Sequence, residues 1–113
     1  MARVGGRPAA PAEPDVFGAL ADPTRRLLLE RLAVGECTVT ELTEGLTMSQ
    51  AAVSQHLRLL RGTGLVEVRQ DGRFRRYRLR PEGFAALRDW LTELERFWSR
   101  RVAALDAYLA ERR

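Results

Sequence analysis

Asp71-Gly72 lies between two runs of β-forming residues, Leu65-Val66-Glu67-Val68-Arg69 and Arg73-Phe74-Arg75-Arg76-Tyr77-Arg78-Leu79. An Asp-Gly pair adopts the positive φ values that a tight hairpin demands, so the segment predicts two antiparallel strands joined at this turn. Alternation puts Arg75, Tyr77 and Leu79 on one face of the second strand and Phe74, Arg76 and Arg78 on the other. The Arg-rich tip and outer face can then lie along a polyanion such as a phosphate backbone. A hairpin so dense in Arg is expected to repel itself unless an anion is near.

The chain before this hairpin is punctuated as a series of short helices. Residues 15–21 show Val16, Phe17 and Leu20 to one side of a first helix. Asp22-Pro23 stops it and starts a second over 23–34, because Asp caps free N–H groups and Pro is tolerated in a first turn. Gly35 ends that helix. Thr38-Val39-Thr40-Glu41 is a capping-box pattern that opens a third helix, with Val39 and Leu42 inward and Gly45 placed to break it. Ser49 caps a fourth over 50–61, closed by Gly62 and Gly64. Two short helices joined by a Gly-containing turn make a helix-turn-helix, and the hairpin after it serves as a wing.

On a wheel of the fourth helix, Gln50, Ala51, Ser54, Gln55, Arg58 and Arg61 share one face, while Ala52, Val53 and Leu60 lie toward the other. A face that is small, polar and basic suits entry into a DNA major groove, where amide, hydroxyl and guanidinium groups pair with base edges. Charge supports the same partner. Net charge is +4, yet residues 49–80 hold eight Arg against only Glu67 and Asp71. The excess is local to the two elements expected to face one duplex. Every basic residue of the chain is Arg, which favours two-pronged contacts to phosphate or guanine.

From Pro81 the pattern reads as one long helix to about Glu111, with Leu87, Leu91, Leu94, Trp98, Val102, Leu105 and Leu109 recurring every three or four residues. Trp90, Phe97 and Tyr108 widen the stripe. Some thirty residues of helix extend roughly 45 Å, more than so small a domain can cover with its own core. The surplus apolar surface calls for a partner.

Taken in order, Leu20-Ala21-Asp22-Pro23-Thr24-Arg25-Arg26, Ser54-Gln55-His56-Leu57-Arg58-Leu59-Leu60, Gly64-Leu65-Val66, and Gly72-Arg73 with Tyr77-Arg78-Leu79 closely resemble the ArsR/SmtB family of bacterial regulators over residues 15–80. The resemblance implies a winged helix-turn-helix, mostly α with a β-hairpin, that dimerises through its first and last helices. It also implies a homodimer that presents two recognition helices to a palindromic operator, usually as a repressor. Metal sensors of the family often carry Cys-Val-Cys where this chain reads Thr38-Val39-Thr40. The final helix lacks the His of other zinc-binding members, and its Asp89, Glu93, Glu95 and Asp106 are interspersed with Arg. Carboxylates alone select zinc poorly, so no metal cofactor is expected, and any effector is a small molecule or an oxidant.

The organisation expected is a flexible arm over 1–14, a DNA-binding unit over 15–80, and a dimerisation helix over 81–113 within the same domain. Ser49, Gln50, Ser54, Gln55, Arg58, Arg73, Arg75 and Arg76 are the DNA-binding candidates, the helix residues reading bases or nearby phosphates and the wing supplying sequence-independent affinity. Phe17, Leu20, Leu91, Leu94, Trp98 and Leu105 are the candidates for the dimer interface. His56 is expected half-buried beneath the recognition helix, and Cys37, whose place before a helix start can lower a thiol pKa, as a small half-buried residue. No run reaches the roughly 18 apolar residues of a membrane span and no export signal opens the chain, so a cytoplasmic protein is expected. The sole His56 supports no catalytic triad, and there is no phosphate-cradling Gly loop, which argues against an enzyme. The rival that keeps the fold is a protein-interaction or antitoxin-like module whose final helix docks a different chain.

Overall fold

A computed structural model describes residues 15–112. The expected arm over 1–14 lies outside them. The elements run α1 (Val16–Leu20), α2 (Pro23–Val34), α3 (Val39–Thr43), α4 (Gln50–Gly62), β1 (Val66–Asp71), β2 (Phe74–Leu79), a 3-10 turn (Pro81–Phe84) and α5 (Ala85–Glu111). This is a mostly helical winged helix-turn-helix, and the punctuation signals act where they were read. The Asp22 carboxylate accepts from the N–H groups of Thr24 and Arg25. Thr38 and Glu41 form the reciprocal capping box, and the Ser49 hydroxyl accepts from Ala52 N–H at 3.1 Å. Gly45 and Gly72 sit at φ 78° and 62°, breaking α3 from its connection and turning the hairpin.

The core is a single cluster in which Leu28, Leu29 and Leu32 of α2 meet Leu42, then Val53, Leu57 and Leu60 of α4, capped by Leu65, Val66 and Tyr77 at the root of the hairpin. Six of these ten side chains come from α2 and α4, so the α4 face opposite the core is held at a fixed orientation. The strands pair antiparallel with Glu67 opposite Arg78, Val68 opposite Tyr77, Arg69 opposite Arg76 and Asp71 opposite Phe74. Cys37 adds a bridge on the other side of β2, exchanging backbone hydrogen bonds of 3.1 and 2.8 Å with Tyr77. No strand was expected there, because a one-residue bridge has no period for a reading along the chain to detect.

The final helix departs from expectation at its start. Residues 81–84 form a 3-10 turn and the α-helix begins at Ala85. The cause is a backbone contact: a Cβ placed on Gly83 would lie 2.0 Å from the Gly64 carbonyl oxygen. The turn can approach the backbone of the α4–β1 corner this closely only because position 83 is glycine. Beyond it, α5 leaves the domain. Every described residue from Arg88 onward is exposed. The radius of gyration is 19.6 Å, against about 13 Å for a compact domain of this length.

Candidate nucleic-acid interface

On α4 the side chains divide as the wheel predicted. Gln50, Ala51, Gln55, Arg58 and Arg61 are exposed, Ser54 and Ala52 flank them half-buried, and Val53 and Leu60 are buried. Ser49 is occupied as the N-cap, and Gln50 Nε2 donates to Thr40 Oγ1 at 3.2 Å, tying the two helices of the motif together. Gln55 and Arg58 make no side-chain hydrogen bond or ion pair with other described residues, so their polar groups are available to a ligand. Arg58 and Arg61 also face β1 across an open cleft of about 490 Å³. The hydroxyls at the positions where family metal sensors carry cysteine are engaged: Thr38 caps α3 and Thr40 accepts from Gln50.

Beneath α4, Arg25 joins three helices. Its Nε donates to the Ala19 carbonyl at 2.8 Å and its Nη2 to the Gly18 carbonyl at 3.2 Å, both on α1. Its Nη1 lies 3.4 Å from His56 Nδ1 on α4 and 3.6 Å from Asp22 Oδ2 at the α2 cap. Arginine only donates, so Nδ1 accepts. His56 is half-buried, as expected, and works as a strut. Burial pushes the Asp22 carboxyl upward, but the N–H groups of Arg25 and Thr24 and the Arg25 charge outweigh it and hold the group below its ordinary value. The role of Arg25 was not read from sequence, although it stands within the stretch that carries the resemblance.

The wing corrects the expectation of self-repulsion. Arg69 Nη2 donates to Glu36 Oε1 at 2.7 Å, Arg78 Nε to Glu67 Oε2 at 2.7 Å, and Arg76 Nε to Asp71 Oδ2 at 2.8 Å. Glu36 also receives Arg78 Nη1 at 3.4 Å. Hydrogen bonding from Arg69 is the largest influence on Glu36, and with the Arg69 charge and the hydrogen bond and charge of Arg78 it outweighs burial and holds the carboxyl below its ordinary range. The outer face is therefore neutralised from within. Among the described residues Arg73 and Arg75 have no carboxylate partner and lie only over the rings of Phe74 and Tyr77. Glu36 was missed because it stands 33 and 42 residues from its partners.

Of the six dimer candidates, Phe17 packs edge-to-face on Trp90 at 5.6 Å. Leu20 is half-buried beside a cavity of about 310 Å³ shared with Leu29, Phe84 and Leu87. Leu91, Leu94, Trp98 and Leu105 stand exposed along α5, Trp98 at 67%. Cys37 is half-buried. Burial and then the nearby Glu41 carboxylate push its thiol up, so the lowering that a place before a helix start can bring does not operate here and the half-buried reading stands.

A sequence profile of the bacterial regulatory protein arsR family matches residues 22–68. An HTH-type transcriptional regulator of Mycobacterium tuberculosis, Rv2034, is 52% identical over 82 residues, covering 73% of this chain and 74% of that protein. An arsenic resistance transcriptional regulator of Pseudomonas putida, ArsR2, is 42% identical over 82 residues, covering 72% and 68%. Among solved structures, an ArsR-like transcriptional regulator from Rhodococcus superposes with a TM-score of 0.65 at 34% identity, covering 80% of this chain and 85% of that one.

Proposed function

Since the chain belongs to the bacterial arsR family and is thus a DNA-binding transcriptional regulator rather than an enzyme, we propose that it acts as a homodimeric repressor on a palindromic operator. The observation that carries the DNA half of this reading is the exposed α4 face, held by the core on one side and by Arg25 and His56 from below. Gln55 and Arg58 are the residues we assign to base edges, with Gln50 and Ser54 beside them and Ser49 setting the start of the helix. Arg73 and Arg75 at the wing tip are assigned to phosphates, and Arg76 joins them only if it leaves Asp71.

The homodimer rests on the apolar stripe of α5, which one copy leaves in water. Residues 15–80 and α5 are read as one folding unit, with α1 and α5 meeting their counterparts across a two-fold axis so that Phe17, Leu20, Leu91, Leu94, Trp98 and Leu105 are covered. An isologous pair of recognition helices is what a palindromic site matches. The reading places the protein in the cytoplasm with its DNA. A metal is set aside as its signal, because Thr38 and Thr40 stand where metal sensors carry cysteine and commit their hydroxyls to holding helices; any effector is then a small molecule or an oxidant.

The test is titration of the chain's own promoter fragment with the wild type and with Leu94→Glu combined with Trp98→Glu, alongside sedimentation. Wild type is expected to sediment as a dimer and retard the fragment, and the double variant to sediment as a monomer and bind at least tenfold more weakly. Dimeric wild type with no retardation at low salt would favour the interaction module instead. A monomeric wild type would refute the homodimer.

A further inference from the structure

The outer face of the wing carries an alternating set of charges whose placement follows from the backbone. Cys37 bridges Tyr77, so Glu36, one residue earlier, comes beside Arg78, while Glu67 faces Arg78 from β1. Arg69 stands directly opposite Arg76, a like-charge pair that destabilises a hairpin when left alone. Glu36 holds Arg69, and Asp71 holds Arg76. Three guanidinium groups and three carboxylates thus share one face with no net charge. The side chains are 30 to 49% exposed, and ion pairs that open to solvent contribute little to folding. Their larger consequence is for a third charged body, because a phosphate approaching this face meets carboxylates already seated on the groups it needs.

We propose that Glu36, assisted by Glu67, is a built-in counter-ion that keeps Arg69 and Arg78 from DNA phosphates and so lowers the sequence-independent affinity of the wing. The inference rests on the DNA-binding reading above. It makes Glu36 a positioning residue that touches no base and acts only through the two arginines it holds. Contact is then confined to the tip, where Arg73 and Arg75 lie over aromatic rings and no carboxylate among the described residues competes for them. A protein that must find one site among many non-cognate ones gains from weak non-specific binding, since that competition sets how much protein reaches the operator.

The experiment measures binding of the full-length protein to a random-sequence duplex by fluorescence anisotropy across a salt series. Wild type is compared with Glu36→Gln, Glu36→Gln with Glu67→Gln, and Glu30→Gln. The last removes the same formal charge from α2, away from the wing arginines, and controls for net charge. Each phosphate gained steepens the plot of log affinity against log salt by about 0.9. For each protomer, Glu36→Gln is expected to steepen it by about one and to tighten binding roughly tenfold at about 0.1 M salt, the double variant to steepen it by about two, and Glu30→Gln to change it little. Slopes unchanged in both wing variants would overturn the proposal, as would a rise in Glu30→Gln equal to that in Glu36→Gln. Circular dichroism establishes that each variant is folded. Should wild type bind neither the random duplex nor its own promoter, the DNA reading itself falls and the proposal with it.

Discussion

Replacing Gly83 with alanine tests whether the join between the DNA-binding unit and α5 is a true backbone contact. An ideal Cβ on Gly83 falls 2.0 Å from the Gly64 carbonyl oxygen, 2.7 Å from its carbon and 3.2 Å from Leu65 Cα. Carbon and oxygen settle no closer than about 3.3 Å, so the turn must retreat by about 1.3 Å. No flexible side chain is present to absorb the change. The retreat pulls on the Arg80 N–H to Leu65 carbonyl bond of 2.9 Å, and on Leu65, whose side chain is fully buried. One weakened hydrogen bond costs about 1 kcal/mol and forced repacking about 1–3. Gly83→Ala should therefore lose about 3 kcal/mol, a large part of the roughly 5–15 that holds such a domain. Urea denaturation followed by circular dichroism measures it. Gly35→Ala is the control, because its φ of 170° is extended backbone and nothing lies within 4 Å of the added atom. A loss below about 1 kcal/mol in Gly83→Ala would refute the reasoning, since repacking alone costs that much.

Two further outcomes follow from charged groups. Arg25→Ala removes two charge-assisted hydrogen bonds to α1 carbonyls, and the side chain is only 14% exposed, so a loss of about 2–3 kcal/mol in the same denaturation is expected. Arg25→Lys should recover less than half of it, because an ammonium lacks the fork that reaches both carbonyls; full recovery would contradict the geometry. Asp22, Glu36, Glu41 and Asp71 all have carboxyls held below their ordinary values. Groups depressed in the folded state stabilise it above their unfolded pKa, near 4, and lose that contribution as pH falls through the folded values. The contribution of these four carboxyls should therefore be flat from neutral pH to about 5 and decline below about 4. A rise in stability on acidification would show that these pairings are not formed.

The elements were legible because their ends are written in local chemistry. Asp22, Thr38 and Ser49 each cap within three residues, and Asp71-Gly72 turns the hairpin within two, so a reading along the chain sees cause and effect together. The polar face of α4 was legible for the same reason, since the helical period alone separates Gln55 and Arg58 from Val53 and Leu60. What escaped depends on contacts across the chain. Gly83 looks like an ordinary helix-starting residue until Gly64 is placed against it, and the pairing of Glu36 with Arg69 and Arg78 needs the Cys37 bridge. A count of charges over 49–80 stopped short of Glu36 and overstated how basic the wing is. Arg25 was visible only as a letter in a familiar stretch; its reach back to α1 and down to His56 is a property of the fold.

These contacts lie on one route through the molecule. The long helix follows the Gly83 join and touches the rest of the described chain near its start, through Leu87 against the core and Trp90 against Phe17. Phe17 belongs to α1, and the next two residues of α1, Gly18 and Ala19, supply the carbonyls that Arg25 grips. The same guanidinium meets His56, one residue from Gln55 and two from Arg58. In the proposed homodimer the spacing of the two α4 helices is then set by how α1 sits on α5, and Arg25 carries that setting to the reading face. Arg25→Lys separates this role from stability: at temperatures where the variant is fully folded, operator binding should weaken more than binding to a random duplex, because only the operator demands a fixed spacing. Equal losses on both duplexes would leave Arg25 as a residue of stability alone.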